Sequence, residues 1–189
     1  MIIKKDIRTI EKNELESFFL AQNSPKFRAT QVIEWIWKHH QLDFNKMSNL
    51  SISERELLKQ KYIVKSLYIS DTTISIDGTV KFLFKMDNNN VVEGVLIPQL
   101  NRLTVCISSQ AGCSLACNFC ATGKLKLDRN LTAGEIYDQV FLINQYALNK
   151  YNKSITNIVY MGMGEPLLNF KNVLMSIDYI TSSNGMGMS

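Results

Sequence analysis

Glycine is missing from the whole first part of this chain: none precedes Gly78 in the 189 residues. That excludes glycine-dependent tight turns there and fits short helices joined by polar turns such as QLDFNKMSN. Long apolar runs are missing too. None reaches the roughly 18–20 residues of a membrane span, so no membrane partner is expected. The start, MIIKKDIRTIEKNELE, has no apolar stretch behind its lysines and does not read as a signal peptide. The expected compartment is a reducing cytoplasm, where clustered thiols point to metal or catalysis more than to disulfides. There is no internal repeat and no low-complexity tract. Histidine is reduced to His39 and His40, and cysteine to four residues.

What is present is ordinary in amount and uneven in placement. A composition 46% hydrophobic and 20% charged suits a globular protein with a sizeable core, one domain or a small domain plus part of another. Residues 1–70 hold 12 Lys+Arg against 8 Asp+Glu, and the remainder is balanced at 9 against 9, so the whole net charge of +4 lies in the N-terminal third. A polyanionic partner and a solvated basic surface fit this equally well.

Three patterns follow one another. Residues 1–66 read as helical. Ser24-Pro25 looks like a cap with proline at a first helical position, ahead of an apolar face at Ala29, Ile33, Ile36 and Trp37. Ser53 and Glu56 read as a capping box, with Ile52 and Leu57 as its hydrophobic staple. From Ser66 the pattern turns to strands. Asp77-Gly78 marks a hairpin, residues 87–90 (DNNN) a second turn, and VVEGVLIP a strand stopped by Pro98. From Arg102 the order is strand RLTVCISS, a cysteine loop, a helix capped by Thr132 and Glu135, the apolar strand ITNIVYMG, the loop GMGEPLLN and the helix FKNVLMSIDYIT. Two βα units in series imply parallel strands buried on both faces. Two such strands make no covered sheet, and SSNGMGMS reads as a turn before a third, so a fragment is expected.

The stretch CSLACNFC carries Cys113, Cys117 and Cys120. A zinc site wants four ligands. The remaining cysteine, Cys106, stands in a predicted strand, and the histidines are remote. Three thiols in one loop fit best a [4Fe–4S] cluster with one iron left open, the missing ligand being the working position. Zinc and metal-free thiols remain the alternatives.

The motif C-x3-C-x-aromatic-C, with Phe119 before the last cysteine, resembles the signature of radical S-adenosylmethionine (SAM) enzymes. It follows the first strand of a βα series, where such barrels place active-site loops. Gly164-Glu165 in GMGEP resembles the Gly-Glu motif that holds the SAM amino group in that superfamily. The stretches LTVCISSQAGCSLACNFCATG, NLTAGEI and NIVYMGMGEPLLNF resemble the RlmN family of dual-specificity RNA methyltransferases, which make 2-methyladenosine in 23S rRNA and tRNA. FRATQVIEWIW is similar to that family's helical accessory domain, and VVEGVLIP to the strand before its barrel. The similarity runs through the whole chain, roughly the first half of a family member. The related Cfr family, which methylates C8, shares the cysteine loop, but Pro166 and LLN favour C2 chemistry.

The resemblance implies an α/β fold: a helical, RNA-binding accessory domain over residues 1–66, a small antiparallel β-meander over 67–100, and the first two βα units of a radical SAM partial (β/α) barrel over 101–189. It implies SAM and a [4Fe–4S] cluster on Cys113, Cys117 and Cys120, an external electron donor, and a monomer. In the family, a 5′-deoxyadenosyl radical takes hydrogen from a methyl group carried on a cysteine, and the resulting methylene radical adds to C2. Glu93 matches the glutamate that takes the C2 proton. Set among apolar residues, it is expected to be buried, which would raise its pKa and suit it as a base; alone it would read as a strand-edge surface carboxylate. Cys106 matches the thiol that releases the product through a disulfide; alone it would read as a buried free cysteine. The methyl-carrying cysteine belongs to the family's C-terminal part, and no cysteine follows Cys120 in these 189 residues, so activity of this stretch alone is not expected. Lys4, Lys5, Arg8, Lys26, Arg28 and Lys38 would grip RNA phosphates, and Lys124, Lys126 and Arg129 would also face RNA. A non-catalytic RNA-binding module with structural zinc is the reading of another class.

Overall fold

The computed structural model describes residues 4–87 and 90–188. Asn88 and Asn89, in the expected DNNN turn, lie outside them. The chain forms two compact units, one of the residues up to Lys65 together with those from Asp178 on, the other of Ser66–Ile177. No helix of the described residues is long and apolar enough to cross a membrane.

The first unit holds α1 (Lys12–Leu20), α2 (Phe27–Trp37) and α3 (Ile52–Lys61). Two short parallel strands, β1 (Lys5–Asp6) and β2 (Tyr62–Ile63), join its ends; so small a pair leaves no alternation in the sequence. Phe18 packs edge-on against Phe19 and Tyr62 at 5.3 and 5.4 Å. Ala29, Val32, Ile36 and Trp37 are buried, so Val32 takes the inward place expected of Ile33. Trp37 stacks flat on Tyr179 at 3.9 Å. Each fully buried apolar side chain contributes about 1.5–3 kcal/mol.

Two expected helix starts are corrected. The capping box of α3 is Ser51 with Glu54, whose side chain and backbone exchange hydrogen bonds reciprocally, not Ser53 with Glu56. S-x-x-E occurs twice in overlap, and the earlier frame wins because Glu54 also reaches Arg28 at 3.2 Å. In place of a staple, the Arg55 guanidinium donates to the Leu50 carbonyl. Ser24 does not cap α2, which begins at Phe27 after Lys26; it lies beside Glu54 and helps to hold that carboxyl below its usual range.

In the second unit a five-stranded sheet runs in the order β3 (Tyr68–Ile74), β4 (Val80–Lys85), β5 (Val91–Gln99), β6 (Arg102–Cys106) and β9 (Asn157–Val159). The first four strands are antiparallel neighbours; β9 is parallel to β6. A separate small ladder joins β7 (Gln110–Ala111) to β8 (Arg129–Asn130). At the hairpin, Gly78 takes φ +86° and Ser75 N–H bonds the Thr79 carbonyl at 2.9 Å, a three-residue loop whose left-handed position calls for glycine. Pro98 does not stop β5. It pairs with Leu103 of β6, and its missing N–H is harmless because β4 pairs only as far as Leu96.

Alternation then divides the sheet into two faces. Val80, Phe82, Phe84, Val92, Leu96 and Val105 are buried. They meet α4 (Ala133–Tyr151): Phe82 packs edge-on against Tyr146 at 5.0 Å, and a Cβ at Gly94 would lie 3.2 Å from Ile143 Cδ1. The opposite face carries Leu83, Glu93, Val95, Ile97, Thr104, Cys106 and Val159, all only half-buried. β6, α4 and β9 thus form a parallel βαβ crossover, as the order of elements predicts. The expected burial of β9 on both faces is not met: Ile158 and Val159 are half-buried and Met161 is 80% exposed. Among the described residues this strand pairs on one side only, so neighbours cover it incompletely. A last helix, α5 (Phe170–Thr181), follows.

Candidate active site

β6 and β9 are parallel neighbours, so the segments that leave their C-terminal ends emerge at the same end of the sheet. After β6 come Ile107–Gln110, then the loop with Cys113, Cys117 and Cys120; after β9 comes Gly162-Met163-Gly164-Glu165.

The β7–β8 ladder closes the cysteine loop at its neck, helped by Asp128 N–H to the Ala111 carbonyl at 2.8 Å. Gly112, at φ +78°, is required because a Cβ would collide with the Lys126 carbonyl. Farther out, Cys120 N–H bonds the Cys117 carbonyl at 3.1 Å and Gly123 N–H the Cys120 carbonyl at 3.1 Å. A Cβ at Gly123 would lie 2.7 Å from the Cys117 oxygen, so the loop folds tightly on itself. All three thiols are free and half-buried, while Phe119 is 95% exposed. As donors, three thiols with no histidine or carboxylate between Cys113 and Cys120 fit an iron–sulfur centre in kind. Among the described residues no group of three His, Cys, Asp or Glu side chains is arranged to hold a metal ion.

The Gly-Glu loop is pinned to the segment after β6. Gly162 N–H bonds the Ile107 carbonyl at 3.0 Å, and Ser109 N–H the Met163 carbonyl at 2.9 Å. The Ser108 hydroxyl donates to the Glu93 carbonyl at 2.6 Å and accepts from Met163 N–H at 2.8 Å. One carboxylate oxygen of Glu165 accepts from Leu167 N–H at 3.1 Å, capping the turn Pro166–Asn169.

Glu93 and Cys106 share the half-buried sheet face. Cys106 stands opposite Val95, two residues from Glu93 on the same side of β5. Burial pushes the Cys106 thiol pKa up, partly opposed by a hydrogen bond from the Met161 backbone. Glu93 departs from expectation. Its side chain is 47% exposed and paired with Lys81 at 3.1 Å, because the period-two pattern turns Val92 and Gly94, not Glu93, toward α4.

Several expected RNA contacts are corrected. Arg8 is 2% exposed; it donates to the Lys65 carbonyl and lies 5.9 Å over the Trp37 ring. Arg28 is tied to Gln31, Asn49 and Glu54. Arg129 forks onto Glu135 at 2.6 and 2.8 Å. Lys4, Lys5, Lys26, Lys38, Lys124 and Lys126 are exposed. Sequence reasoning gave no role to Gln110, Asn130 and Asn169, although each lies in a stretch that carries the resemblance; Gln110 and Asn169 prove buried.

Residues 5–64 match the family described as Ribosomal RNA large subunit methyltransferase N-terminal domain. The chain is 51% identical over 185 residues to a probable dual-specificity RNA methyltransferase RlmN of Cytophaga hutchinsonii, covering 98% of this chain and 51% of that protein. It is 47% identical to the corresponding protein of Flavobacterium psychrophilum, covering 100% and 54%. The chain belongs to the RlmN family. It spans about half the length of the curated relatives it matches. The crystal structure of a radical SAM methyltransferase from Sphaerobacter thermophilus superposes with TM-score 0.79 at 33% identity, over 98% of this chain and 54% of that one. The RlmN likeness thus extends through both units and includes both loops just described.

Proposed function

We propose that this chain is the N-terminal part of a radical SAM methyltransferase that places a methyl group on C2 of adenosine in 23S rRNA and in tRNA. The observation that carries the reading is the β6–α4–β9 crossover, which delivers a three-thiol loop and a Gly-Glu loop to one end of a sheet beside Glu93 and Cys106. β6 to α5 are then the first two βα units of a partial (β/α) barrel, and the helical N-terminal unit binds RNA in the cytoplasm. A monomer served by an external electron donor is the working form.

Cys113, Cys117 and Cys120 would hold a [4Fe–4S] cluster, which when bound supplies the electron that cleaves SAM. The Gly164-Glu165 loop holds the amino group of SAM. Glu93 takes the C2 proton, and the half-exposed position that pairs it with Lys81 leaves it reachable by a base entering from the open face. Cys106, on the same sheet face as Glu93, would form an S–S bond with the methyl-carrying cysteine as that cysteine's C–S bond to the product breaks, its thiol proton passing to solvent and the surplus electron to the external electron carrier.

The test is anaerobic reconstitution of a full-length protein bearing this sequence, with metal and sulfide analysis and mass spectrometry of adenosines in 23S rRNA and tRNA. Iron, sulfide and 2-methyladenosine are expected. Colourless protein holding zinc without methylation would instead support a non-catalytic RNA-binding module, and 8-methyladenosine a Cfr-like enzyme.

A further inference from the structure

The two loops given to the cofactor are tied together by side chains outside both motifs. Gln110, 1% exposed, stands in the β7 strand of the cysteine-loop neck. Its Oε1 accepts the backbone N–H of Glu165 at 2.8 Å, and its Nε2 donates to Asn130 Oδ1 in β8 at 2.7 Å. Asn169, 3% exposed, ends the turn after the Gly-Glu loop. Its Nδ2 donates to the carbonyls of Ser109 and Leu131, at 2.7 and 2.8 Å, which lie on the two sides of the same neck. Its Oδ1 accepts from Asn172 at 2.8 Å. Asn130 Nδ2 adds a bond to the Leu168 carbonyl at 3.3 Å.

Gly164 belongs to this arrangement. It takes φ +93°, and a Cβ there would lie 2.7 Å from Gln110 Cγ and 2.8 Å from Gln110 N. The glycine is thus demanded by the close seat of Gln110, whatever else the loop holds. A buried amide with every polar atom engaged has one rotamer and one orientation. Two such amides set the separation of the loops and the backbone direction at Glu165.

We propose that Gln110 and Asn169 are positioning residues for SAM, locking the Gly-Glu loop to the neck of the cysteine loop so that the two parts of the cofactor site keep one spacing. This rests on the functional reading above. Neither side chain need touch SAM. Truncating Gln110 removes the partner of Glu165 N–H, and truncating Asn169 removes the bonds that join its turn to the Ser109 and Leu131 carbonyls, so the loop at Glu165 can shift.

The experiment uses the full-length protein, reconstituted anaerobically, with Gln110→Ala, Asn169→Ala and the conservative Gln110→Glu. Iron content, SAM affinity by calorimetry, and hydrogen exchange at residues 163–165 are measured together. Both alanine variants should keep iron at the unsubstituted level, bind SAM about tenfold or more weakly, and exchange faster at Glu165. Gln110→Glu keeps the acceptor for Glu165 N–H, and Asn130 can turn its amide to meet the second carboxyl oxygen at the cost of only its long bond to the Leu168 carbonyl at 3.3 Å. Its affinity should return to within about threefold. Alanine variants that bind SAM within about twofold of the parent would overturn the proposal. So would iron and SAM affinity falling together, which would mark a general loss of fold. Unsubstituted protein that holds iron yet binds no SAM would overturn the functional reading itself, independently of the variants.

Discussion

Replacing Glu135 tests whether one carboxylate anchors the start of α4 directly behind the cysteine-loop neck. Glu135 is 7% exposed. It accepts from both terminal nitrogens of Arg129, at 2.6 and 2.8 Å, and from Thr132 N–H and hydroxyl, at 2.8 and 3.2 Å. Alanine removes the ion pair and half of the capping box at once. Breaking a buried pair costs about 3–5 kcal/mol. Because the Arg129 side chain is 32% exposed, its stranded charge regains water, so the lower end applies; the cap adds about 0.5–1 kcal/mol. Glu135→Gln keeps an acceptor for Thr132 N–H and loses only charge, so about 1.5–2 kcal/mol is expected. The pH dependence has a definite sign. Burial pushes the Glu135 pKa up, but Arg129 and Thr132 outweigh it and hold the carboxyl below its usual range. A depressed folded pKa gives stability that is complete above the unfolded glutamate range and lost as pH falls through the lowered value. Urea unfolding followed by circular dichroism, at neutral and acid pH, should show the gap between the protein and its Glu135→Gln variant closing in acid. A cost below about 1 kcal/mol for Glu135→Ala, or a gap unchanged by pH, would refute this account.

Three further outcomes are expected of the full-length protein. Cys113→Ala, Cys117→Ala and Cys120→Ala should each abolish bound iron while Cys106→Ala leaves it unchanged; equal loss in the Cys106 variant would indicate a four-cysteine site. Glu93→Gln should still cleave SAM but stop after C2 is attacked, accumulating a protein–RNA adduct on denaturing gels, and a normal yield of 2-methyladenosine would remove Glu93 from the role of base. Cys106, its thiol pKa raised by burial, should resist iodoacetamide at neutral pH and yield only in more alkaline buffer than an ordinary cysteine; prompt alkylation near neutrality, read by peptide mass spectrometry, would contradict that.

Local chemistry with one reading was legible in the sequence. Thr132 and Glu135 admit a single capping frame, and Asp77-Gly78 a single hairpin. The crossover from β6 to β9 followed from element order alone. Where chemistry repeats, the sequence was ambiguous: overlapping Ser-x-x-Glu frames at Ser51 and Ser53 were separated only by Arg28 reaching Glu54 from another helix. Tertiary partners also decided Ser24, Arg8 and Arg129, whose side chains turn to neighbours invisible in the linear order. Glu93 was misjudged for burial because apolar flanks were counted without their alternation. Gln110 and Asn169 stood inside the stretches that carried the family resemblance, but nothing in the sequence marked their burial or their partners. A buried amide in a loop differs from an exposed one only by the carbonyls it finds.

The neck of the cysteine loop has a consequence for what the proposed metal binding would have to overcome. Cys113 sits beside the β7–β8 ladder, with its backbone already held, whereas Cys117 and Cys120 ride on the outer turn. Bringing the three sulfurs together would therefore involve only the dozen or so residues beyond the neck, several of which are already fixed by backbone hydrogen bonds. Metal–thiolate bonding sets the sign of that equilibrium. Within the neck, Gln110 and Asn130 pair through both backbone and side chain, without drawing on the outer turn. Loss of the proposed cluster and unfolding of the sheet would thereby be separate events, and a protein without iron would keep the frame onto which a cluster can be assembled.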